Sequence, residues 1–528
     1  MISDHHLEWA ISHLEKFGGS DVFPPSHDFI AAKHNWAAIK EAVVNLVSRG
    51  TSPSTPYLGM APKADNTFRA VHELHPLDSI AITAVIYSIA EQIERGRFPE
   101  ERRCVFSFRV VPDHDGHFFK PGSENWGLFA QRRNELMTQY QQGWVLKADI
   151  SDYYNQIYLH RVQNALEECL PAEKAEVAKY VHDFLHGLNA KISKGIPVGP
   201  SFSTIIAEAV LNDVDQRISS YGLDFIRWVD DIYIFHNDPW VLFNKHQELS
   251  EYLYSTHRLV FNGAKTKLTQ VHQLHDFLDG SEDAVAEEHI NTLREQRYSE
   301  LIDELISEMN PYDHDDIDWE SVSEAALEKY KDTEEFKVVA NAYRLLFEQA
   351  VITNNNTLAR HVLKKCTSAK IRSLAPIIRE KFRMLFPFIR EVAYYVRRTF
   401  NNEMLLELSA IASGFCLQNE NRFSLRWLAY ILTLPDYPNG HHLDDRVFSA
   451  FELRERLLLA SKLKDLHRIK ALRTKVDQLS EIDRHAWIIA SVALTKDERN
   501  PILDHIESRG TPMDVAYCRY VKSGITSR

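Results

Sequence analysis

The sequence predicts an α+β domain followed by an all-α domain. Within 141–280, short runs of β-branched and aromatic residues alternate with stretches of helical periodicity. From about residue 290 onward, apolar residues recur at three- and four-residue spacing, and short polar loops separate these stretches. The 528 residues, 44% of them apolar, are enough for two full-size cores. The predicted limits are 1–285 for the α+β domain, 286–336 for a helical connector and 337–528 for the all-α domain.

The helices after residue 290 predict a particular architecture. Stacked pairs of antiparallel helices, an α-solenoid of HEAT-like type, fit a long series of amphipathic helices joined by short loops. No clean sequence period is visible, so the pattern does not give a number of repeats.

Charge is distributed unevenly along the chain, whose net charge is −13 at pH 7. The segment 281–336 holds 19 acidic and 4 basic residues, so the connector is strongly acidic, whereas 337–528 holds 31 basic and 20 acidic residues. Basic residues are densest between Arg360 and Arg398. Aromatic residues interleave with them, namely Phe386, Phe388, Tyr394 and Tyr395. A solvated helix face and a phosphate-binding surface are both compatible with this pattern.

The pattern of cysteines and the absence of long apolar runs indicate in which cellular compartment the protein is found. The five cysteines form no CxxC pair, so we expect a reducing environment and no structural zinc. The first residues lack the features of a signal peptide, and no apolar run reaches the length of a membrane span. We therefore expect a cytoplasmic, soluble protein with no membrane partner.

Two adjacent aspartates stand inside an apolar stretch, RWVDDIYIF at 227–235. The flanking residues have high β-propensity, which predicts a strand, a tight turn and a second strand. Asp230 and Asp231 repel each other and are costly to bury, so a compensating cation is expected. Asp149 ends another predicted strand, WVLKAD, roughly 80 residues upstream. We expect Asp149 and Asp230 on neighbouring strands, holding two Mg²⁺ ions, or Mn²⁺ in their place.

The motifs around these aspartates resemble those of reverse transcriptases. DISDYYNQI from Asp149 resembles the first palm motif, and WVDD at 228–231 resembles the YxDD-type hairpin. GIPVGPSFS at 195–203 resembles the motif that lies against the nascent base pair, and LVFNGAKT at 259–266 resembles the motif that follows. Segments at 62–69, 75–78 and 105–109 resemble the fingers. The resemblance implies a reverse-transcriptase-like fingers and palm core over roughly 62–280.

The resemblance also implies residue roles. Asp149, Asp230 and Asp231 would be catalytic, and the metal ions would be held by Asp149, Ile150, Asp230 and Asp231. Nucleotide binding would involve Lys63, Arg69, Asp152, Tyr153, Tyr154, Pro197, Gly199 and Lys265. Lys63 and Arg69 would neutralise phosphates. Lys265 would stabilise or protonate the leaving pyrophosphate, and Tyr154 would exclude a 2′-hydroxyl and so favour dNTPs. The alternative interpretations are exposed loop cations for Lys63 and Arg69, a cation at a helix end for Lys265, and core packing for Tyr154.

Some features depart from most reverse transcriptases. Val198 stands where many relatives carry glutamine, and no compact basic thumb follows residue 280. This arrangement is similar to the abortive-infection (Abi) branch of prokaryotic reverse transcriptases, a branch of otherwise unassigned groups that defends bacteria against phage, and closest to its P2-prophage type. Membership would imply untemplated DNA synthesis, priming from a protein hydroxyl with single-stranded DNA attached covalently, and a homo-oligomer.

Three other functions remain open. The chain could be a templated reverse transcriptase that acts on a non-coding RNA, or a catalytically inactive scaffold that binds nucleic acid. A nucleotidyl cyclase would use a similar two-metal palm, but the fingers-like segments and the motif at 195–200 disfavour it.

Overall fold

The computed structural model describes residues 2–63, 67–273, 333–434 and 443–524. The chain divides into two compact units. The first comprises Met1–Met60, Ala70–Leu274 and Asp465–Arg528, and the second comprises Ala61–Arg69 and His275–Lys464. The predicted acidic connector lies outside the described residues as far as residue 332.

The helices of the first unit begin near the N-terminus. They are α1 (Asp4–Phe17), α2 (Asp28–Ala32), α3 (Trp36–Arg49), α4 (Pro76–Tyr87), α5 (Ala90–Gly96), α6 (Gly122–Gln139), α7 (Tyr153–Gln156), α8 (Leu159–Cys169), α9 (Ala175–Leu188), α10 (Ser201–Val210), α11 (Asn212–Ser219) and α12 (Pro239–Tyr252). Helix α4 contacts α1, α3 and α10, and its residues from Pro76 to Ile86 are almost all buried. A helix that is apolar on every side is buried in this way because it has no face suited to water.

A four-stranded antiparallel sheet carries the candidate site. Its order is β4-β5-β3-β6, formed by β3 (Trp144–Asp149), β4 (Asp224–Trp228), β5 (Asp231–His236) and β6 (Lys267–Gln270). Strands β1 (Tyr57–Pro62) and β2 (Phe68–Glu73) form a separate two-stranded sheet. In β5 all four residues from Ile232 to Phe235 are buried, so both faces of this strand are covered. The predicted strand, tight turn and strand at 227–235 are confirmed.

The C-terminal helices belong to the first unit. They are α21 (Leu466–Ala471), α22 (Glu481–Ala490), α23 (Lys496–Arg509) and α24 (Pro512–Lys522). The sequence assigned all of 337–528 to one basic domain, whereas the structure groups residues from Asp465 onward with the N-terminal helices. Tyr517 donates to Asp28 Oδ1 (2.6 Å) and Arg519 donates to Asn35 Oδ1 (2.8 Å). Helical periodicity reveals an apolar face but not its partner, which explains the difference.

The second unit is helical wherever it is described beyond residue 333. Its helices are α13 (Glu334–Ile352), α14 (Asn356–Ser368), α15 (Ala375–Lys381), α16 (Ile389–Thr399), α17 (Asn402–Cys416), α18 (Arg422–Leu432), α19 (Asp445–Ala450) and α20 (Leu453–Lys462). Helix α14 contacts α13 and α16, and α16 contacts α18. The predicted helical content is confirmed, and the HEAT-like repeat arrangement stays a prediction.

Core packing accounts for part of the basic and aromatic pattern in the second unit. Phe388 and Tyr395 are 2% and 0% exposed, and the Tyr395 hydroxyl donates to a backbone carbonyl. Arg360 lies 3.2 Å from the carboxylate of Glu391. The interleaved aromatics are therefore not all available to stack on bases, and a phosphate-binding surface stays a prediction for the remaining basic residues.

Within the described ranges, no helix combines the length and the apolar character needed to cross a lipid bilayer.

Candidate active site

The register of the sheet brings the predicted catalytic aspartates together. Asp149, the last residue of β3, lies directly opposite Asp231, the first residue of β5. Residues paired in this way have Cα atoms about 4.5–5.5 Å apart. The amide of Ile150 also donates to the carbonyl of Asp230 (3.3 Å). Asp149 thus ends β3, whereas Asp230 lies in the turn just before β5 and not on a strand, and its role as a metal ligand beside Asp149 stays a prediction.

A loop from the motif at 259–266 is fixed to the same end of β3. The amide of Asn262 donates to the carbonyl of Asp149 (2.7 Å), and the amide of Ser151 donates to the carbonyl of Val260 (2.9 Å). These bonds bring Lys265 to the cluster, where its Nζ lies 3.1 Å from Asp149 Oδ1. The Lys265 side chain stays 60% exposed, whereas that of Asp149 is 6% exposed.

Electrostatics at the cluster favours an added positive charge. Burial raises the pKa of Asp230 to about 6, and the charges of Asp149 and Asp231 contribute to the rise. Burial likewise raises the pKa of Asp231. Burial lowers the pKa of Lys265, but its contact with Asp149 outweighs this effect and the net shift is upward. Carboxyl groups in such surroundings bind a proton or a metal cation more readily than isolated ones do.

The donor set fits magnesium. Carboxylate oxygens are the protein ligands that Mg²⁺ prefers, and Asp149, Asp230 and Asp231 provide them at one edge of the sheet. The backbone of Ile150 lies at the same edge because its amide is bonded to Asp230. The residues present are therefore compatible with the predicted ions.

A more compact group of metal-type side chains lies among the C-terminal helices. Glu481, His485 and Asp514 offer ligand atoms within 4.8 Å of one another, and among the described residues this is the one such group. However, both oxygens of Asp514 accept from Arg484 (2.8 Å each), and Glu481 lies 3.3 Å from His75 Nε2. We interpret this group as an ion-pair network, because the cation next to Asp514 repels a metal ion.

The two tyrosines after Asp149 differ in surroundings. Tyr153 is 2% exposed, and its hydroxyl donates to the carbonyl of Ala207 (2.6 Å). Its side chain thus packs in the core, and a role of Tyr153 in nucleotide binding stays a prediction. Tyr154 is half-buried with its hydroxyl 3.5 Å from Thr204 Oγ1, and its role under the sugar stays a prediction.

Three other predicted nucleotide-binding residues lie outside regular helices and strands. Asp152 is exposed and has a φ of +48° just before α7. Pro197 is buried, whereas Gly199 is half-buried with a φ of +114°. A Cβ atom at Gly199 would overlap Ser20 Oγ and lie 3.0 Å from Val22 Cγ2. Only glycine fits there, because the N-terminal segment approaches this loop so closely.

Lys63 and Arg69 flank the connection between β1 and β2. The amide of Lys63 donates to the carbonyl of Thr67 (2.8 Å), and Arg69 is exposed. Both belong to the segment Ala61–Arg69, which is grouped with the second unit. Their role towards nucleotide phosphates stays a prediction.

Sequence reasoning missed a buried charge network next to the hairpin. Arg227 is 0% exposed, donates to both oxygens of Asp215 (2.7 Å each) and lies 3.1 Å from Glu208. Glu208 also pairs with Arg97 (2.8 Å) and accepts from Ser107 Oγ (2.5 Å). An arginine between Ile226 and Trp228 in an apolar strand was the available signal, because a buried charge requires a partner.

Comparison with known proteins agrees with the motifs. Residues 62–290 match the family described as reverse transcriptase (RNA-dependent DNA polymerase). The retron Ec48 reverse transcriptase of Escherichia coli is 27% identical over 207 residues, which is 39% of this chain and 47% of that protein. The chain therefore matches about half the length of this curated relative.

Solved structures of telomerases are weakly similar to the structure of this chain. Apo telomerase from Candida tropicalis has a TM-score of 0.33 at 10% identity, covering 75% of this chain and 74% of its own. Telomerase from Candida albicans in complex with a TWJ fragment of telomeric RNA has a TM-score of 0.31 at 13% identity, covering 76% and 70%. Scores this low carry no argument about fold or function. Residues 62–290 are therefore similar to a reverse transcriptase domain, and a bacterial reverse transcriptase is similar over 207 residues.

Proposed function

We propose that this protein is a DNA polymerase of the reverse transcriptase family, which transfers nucleotides from dNTPs and acts in abortive infection against phage. One observation carries the enzymatic part: the register that sets Asp149 opposite Asp231, with Asp230 and Lys265 at the same edge. A catalytically inactive scaffold has no need of three crowded carboxylates, since their burial costs stability.

The residues at this edge of the sheet would have different roles in nucleotidyl transfer. Asp149, Asp230, Asp231 and the backbone of Ile150 would hold two Mg²⁺ ions, which supply Lewis acidity to the attacking and leaving oxygens. In the structure, the positive charge of Lys265 neutralises the carboxylate of Asp149. Once a metal ion neutralises that carboxylate, Lys265 would bind the leaving pyrophosphate instead. Tyr154 would limit the room beneath the sugar, which favours deoxynucleotides.

Synthesis without a template is part of the proposal. The resemblance puts the loop at 195–203 against the nascent base pair. Val198 replaces the usual glutamine there, and the chain's own residues Ser20 and Val22 press against Gly199. Protein thus covers a side of this loop, which supports a reaction that does not select bases by pairing.

The finer classification also belongs to this proposal. The absence of a compact basic thumb in the sequence after residue 280 favours the Abi branch, near its P2-prophage type. Priming from a protein hydroxyl, a covalently attached single-stranded DNA and a homo-oligomer in the cytoplasm are properties of that assignment.

The decisive experiment uses the purified full chain with Mg²⁺ and each dNTP in turn, without template or primer. We expect a ladder on a denaturing gel that stays with the protein after boiling in detergent. Asp230→Asn should abolish the ladder, whereas Asp183→Asn, the same change at an exposed aspartate of α9, should not. Equal incorporation by both variants would refute the assignment of the active site.

A templated reaction on a non-coding RNA is the second candidate, because the bacterial relative is a retron reverse transcriptase. Sequencing the DNA product separates the two candidates. A single defined sequence that disappears after ribonuclease treatment would replace untemplated synthesis with this alternative. If neither product forms and Asp230→Asn still protects cells from phage, the inactive scaffold is the better description.

A further inference from the structure

The turn between β4 and β5 has an unusual backbone. Trp228 pairs with Asp231, so Val229 and Asp230 alone form the turn. Val229 has a φ of +54°. Branched side chains rarely adopt this left-handed conformation, and two-residue turns with a positive φ at the first position favour glycine there. Something outside the turn must therefore hold Val229 in place.

Two buried side chains bind both backbone polar groups of Val229. Arg227 Nη1 donates to its carbonyl (2.7 Å), and its amide donates to Ser107 Oγ (3.0 Å). The next carbonyl, that of Asp230, accepts from the amide of Ile150 (3.3 Å). The turn is thus restrained at three of its backbone polar atoms, and the carboxylate that it carries is that of Asp230.

Both of these side chains are themselves rigidly held. Ser107 is 0% exposed and donates to Glu208, while Arg227 is 0% exposed and is bound at both ends of its guanidinium by Asp215 and Glu208. The segment that carries Ser107 also runs beside β4, since the amide of Arg227 donates to the carbonyl of Cys104 (2.7 Å). Glu208 lies on α10 and Asp215 lies on α11. These two helices therefore hold the side chains that restrain the turn.

We propose that Ser107 and Arg227 are positioning residues that keep Val229 left-handed and thereby direct the carboxylate of Asp230 towards Asp149. Without either restraint, Val229 returns to a negative φ and the peptide between Val229 and Asp230 rotates. Asp230 then no longer shares a cation with Asp149. The inference rests on the proposed function for its effect on catalysis, whereas its effect on cation binding can be measured without any reaction.

The first test replaces Ser107 with alanine in the full chain. We expect Mn²⁺, measured by electron paramagnetic resonance, to bind about tenfold more weakly, as for loss of a group that orients a metal ligand. The kcat for dNTP incorporation should fall by a similar factor while KM for dNTP stays within about twofold, because the nucleotide contacts are intact. Ser491→Ala is the control, since Ser491 is also 0% exposed and its hydroxyl also donates a buried hydrogen bond (2.6 Å).

The second test is a rescue. Glycine adopts a positive φ without strain, so Val229→Gly in the Ser107→Ala background should recover much of the lost Mn²⁺ affinity. A purely structural role for Ser107 predicts no rescue, because glycine adds nothing to packing. Arg227→Lys, which keeps the charge but not the forked contact, should lower Mn²⁺ affinity at least as much as Ser107→Ala.

The outcomes separate this inference from the proposed function. Unchanged Mn²⁺ affinity in folded Ser107→Ala protein, or a loss that Val229→Gly does not reduce, would overturn the positioning role. A wild-type protein that binds Mn²⁺ but incorporates no dNTP would overturn the proposed function, while the affinities of the variants would still support or refute the role of Ser107.

Discussion

Two groups of charges lie at the β4–β5 hairpin, and they differ in how well the charges are balanced. Beside the turn, Asp149, Asp230 and Asp231 outnumber the lysines near them, Lys265 and Lys147. Next to the strand, three arginines face three acidic residues, and each of the six has a partner within 3.1 Å. The net charge of the first group is negative, and that of the second is zero.

We therefore interpret the unbalanced group as a site for cations and the balanced group as the structure that supports it. Excess negative charge in a buried place destabilises the folded chain, and it is retained where a cation is to be bound. A balanced network costs less to bury and fixes geometry, because each forked contact sets a direction as well as a distance. Substitutions in the two groups should therefore have opposite effects on stability.

The largest effect is expected at the unbalanced group. Asp230→Ala removes a ligand shared by the proposed ions, so dNTP incorporation should fall by more than about 10⁴-fold, equivalent to about 5 kcal/mol. Single-turnover incorporation on a denaturing gel measures this. Asp230→Ala protein with activity within tenfold of the wild type would show that Asp230 does not hold a catalytic ion.

The balanced group should lose stability when one partner is removed. Arg227→Met leaves Asp215 and Glu208 buried without their shared cation, and we expect a loss of about 3–5 kcal/mol in the free energy of unfolding. Urea denaturation measures the change. Arg426→Met, which breaks the buried pair with Glu455 (3.3 Å) in the second unit, should also destabilise but leave Mn²⁺ affinity unchanged.

In the absence of metal, Asp230→Asn should increase the free energy of unfolding, whereas Arg227→Met should decrease it. Because burial raises the pKa of Asp230 to about 6, the folded state binds this proton more tightly than the unfolded state, and ionisation at pH 7 costs about 2–3 kcal/mol. In EDTA at pH 7 or above, Asp230→Asn should therefore stabilise the protein by up to that amount. The gain should shrink as the pH falls through 6 and vanish near 4, where the wild-type carboxyl is protonated in both states. A gain that does not depend on pH would contradict this origin.

Lys265 should show the smallest effect on stability. Its side chain is largely exposed, so Lys265→Met should change the free energy of unfolding by less than about 1 kcal/mol. If Lys265 assists the departure of pyrophosphate, kcat should nevertheless fall about tenfold or more. Lys267→Met, an exposed lysine two residues later, is the control. Equal rates for both variants would remove Lys265 from the mechanism.

Much of the active-site geometry was predictable because it depends on neighbouring strands. The high β-propensity of the residues around Asp149 and around the Asp230–Asp231 pair indicated strands, and antiparallel pairing then brings their ends together. The burial of the Tyr153 side chain could not be predicted, because a motif gives the position of an aromatic ring and not whether it faces the core. The forked contact of Arg227 could not be predicted either, since its partners come from two different helices.

By itself, the sequence determined the order of strands and helices, the pairs of acidic residues at strand ends and the charge of each segment, because periodicity and composition are local properties. Only the tertiary structure decided that the last helices join the N-terminal ones, and that a serine at 107 and an arginine at 227 meet at one turn residue. The physical reason is that burial and ion pairing depend on segments distant in the chain, whose approach no local pattern records.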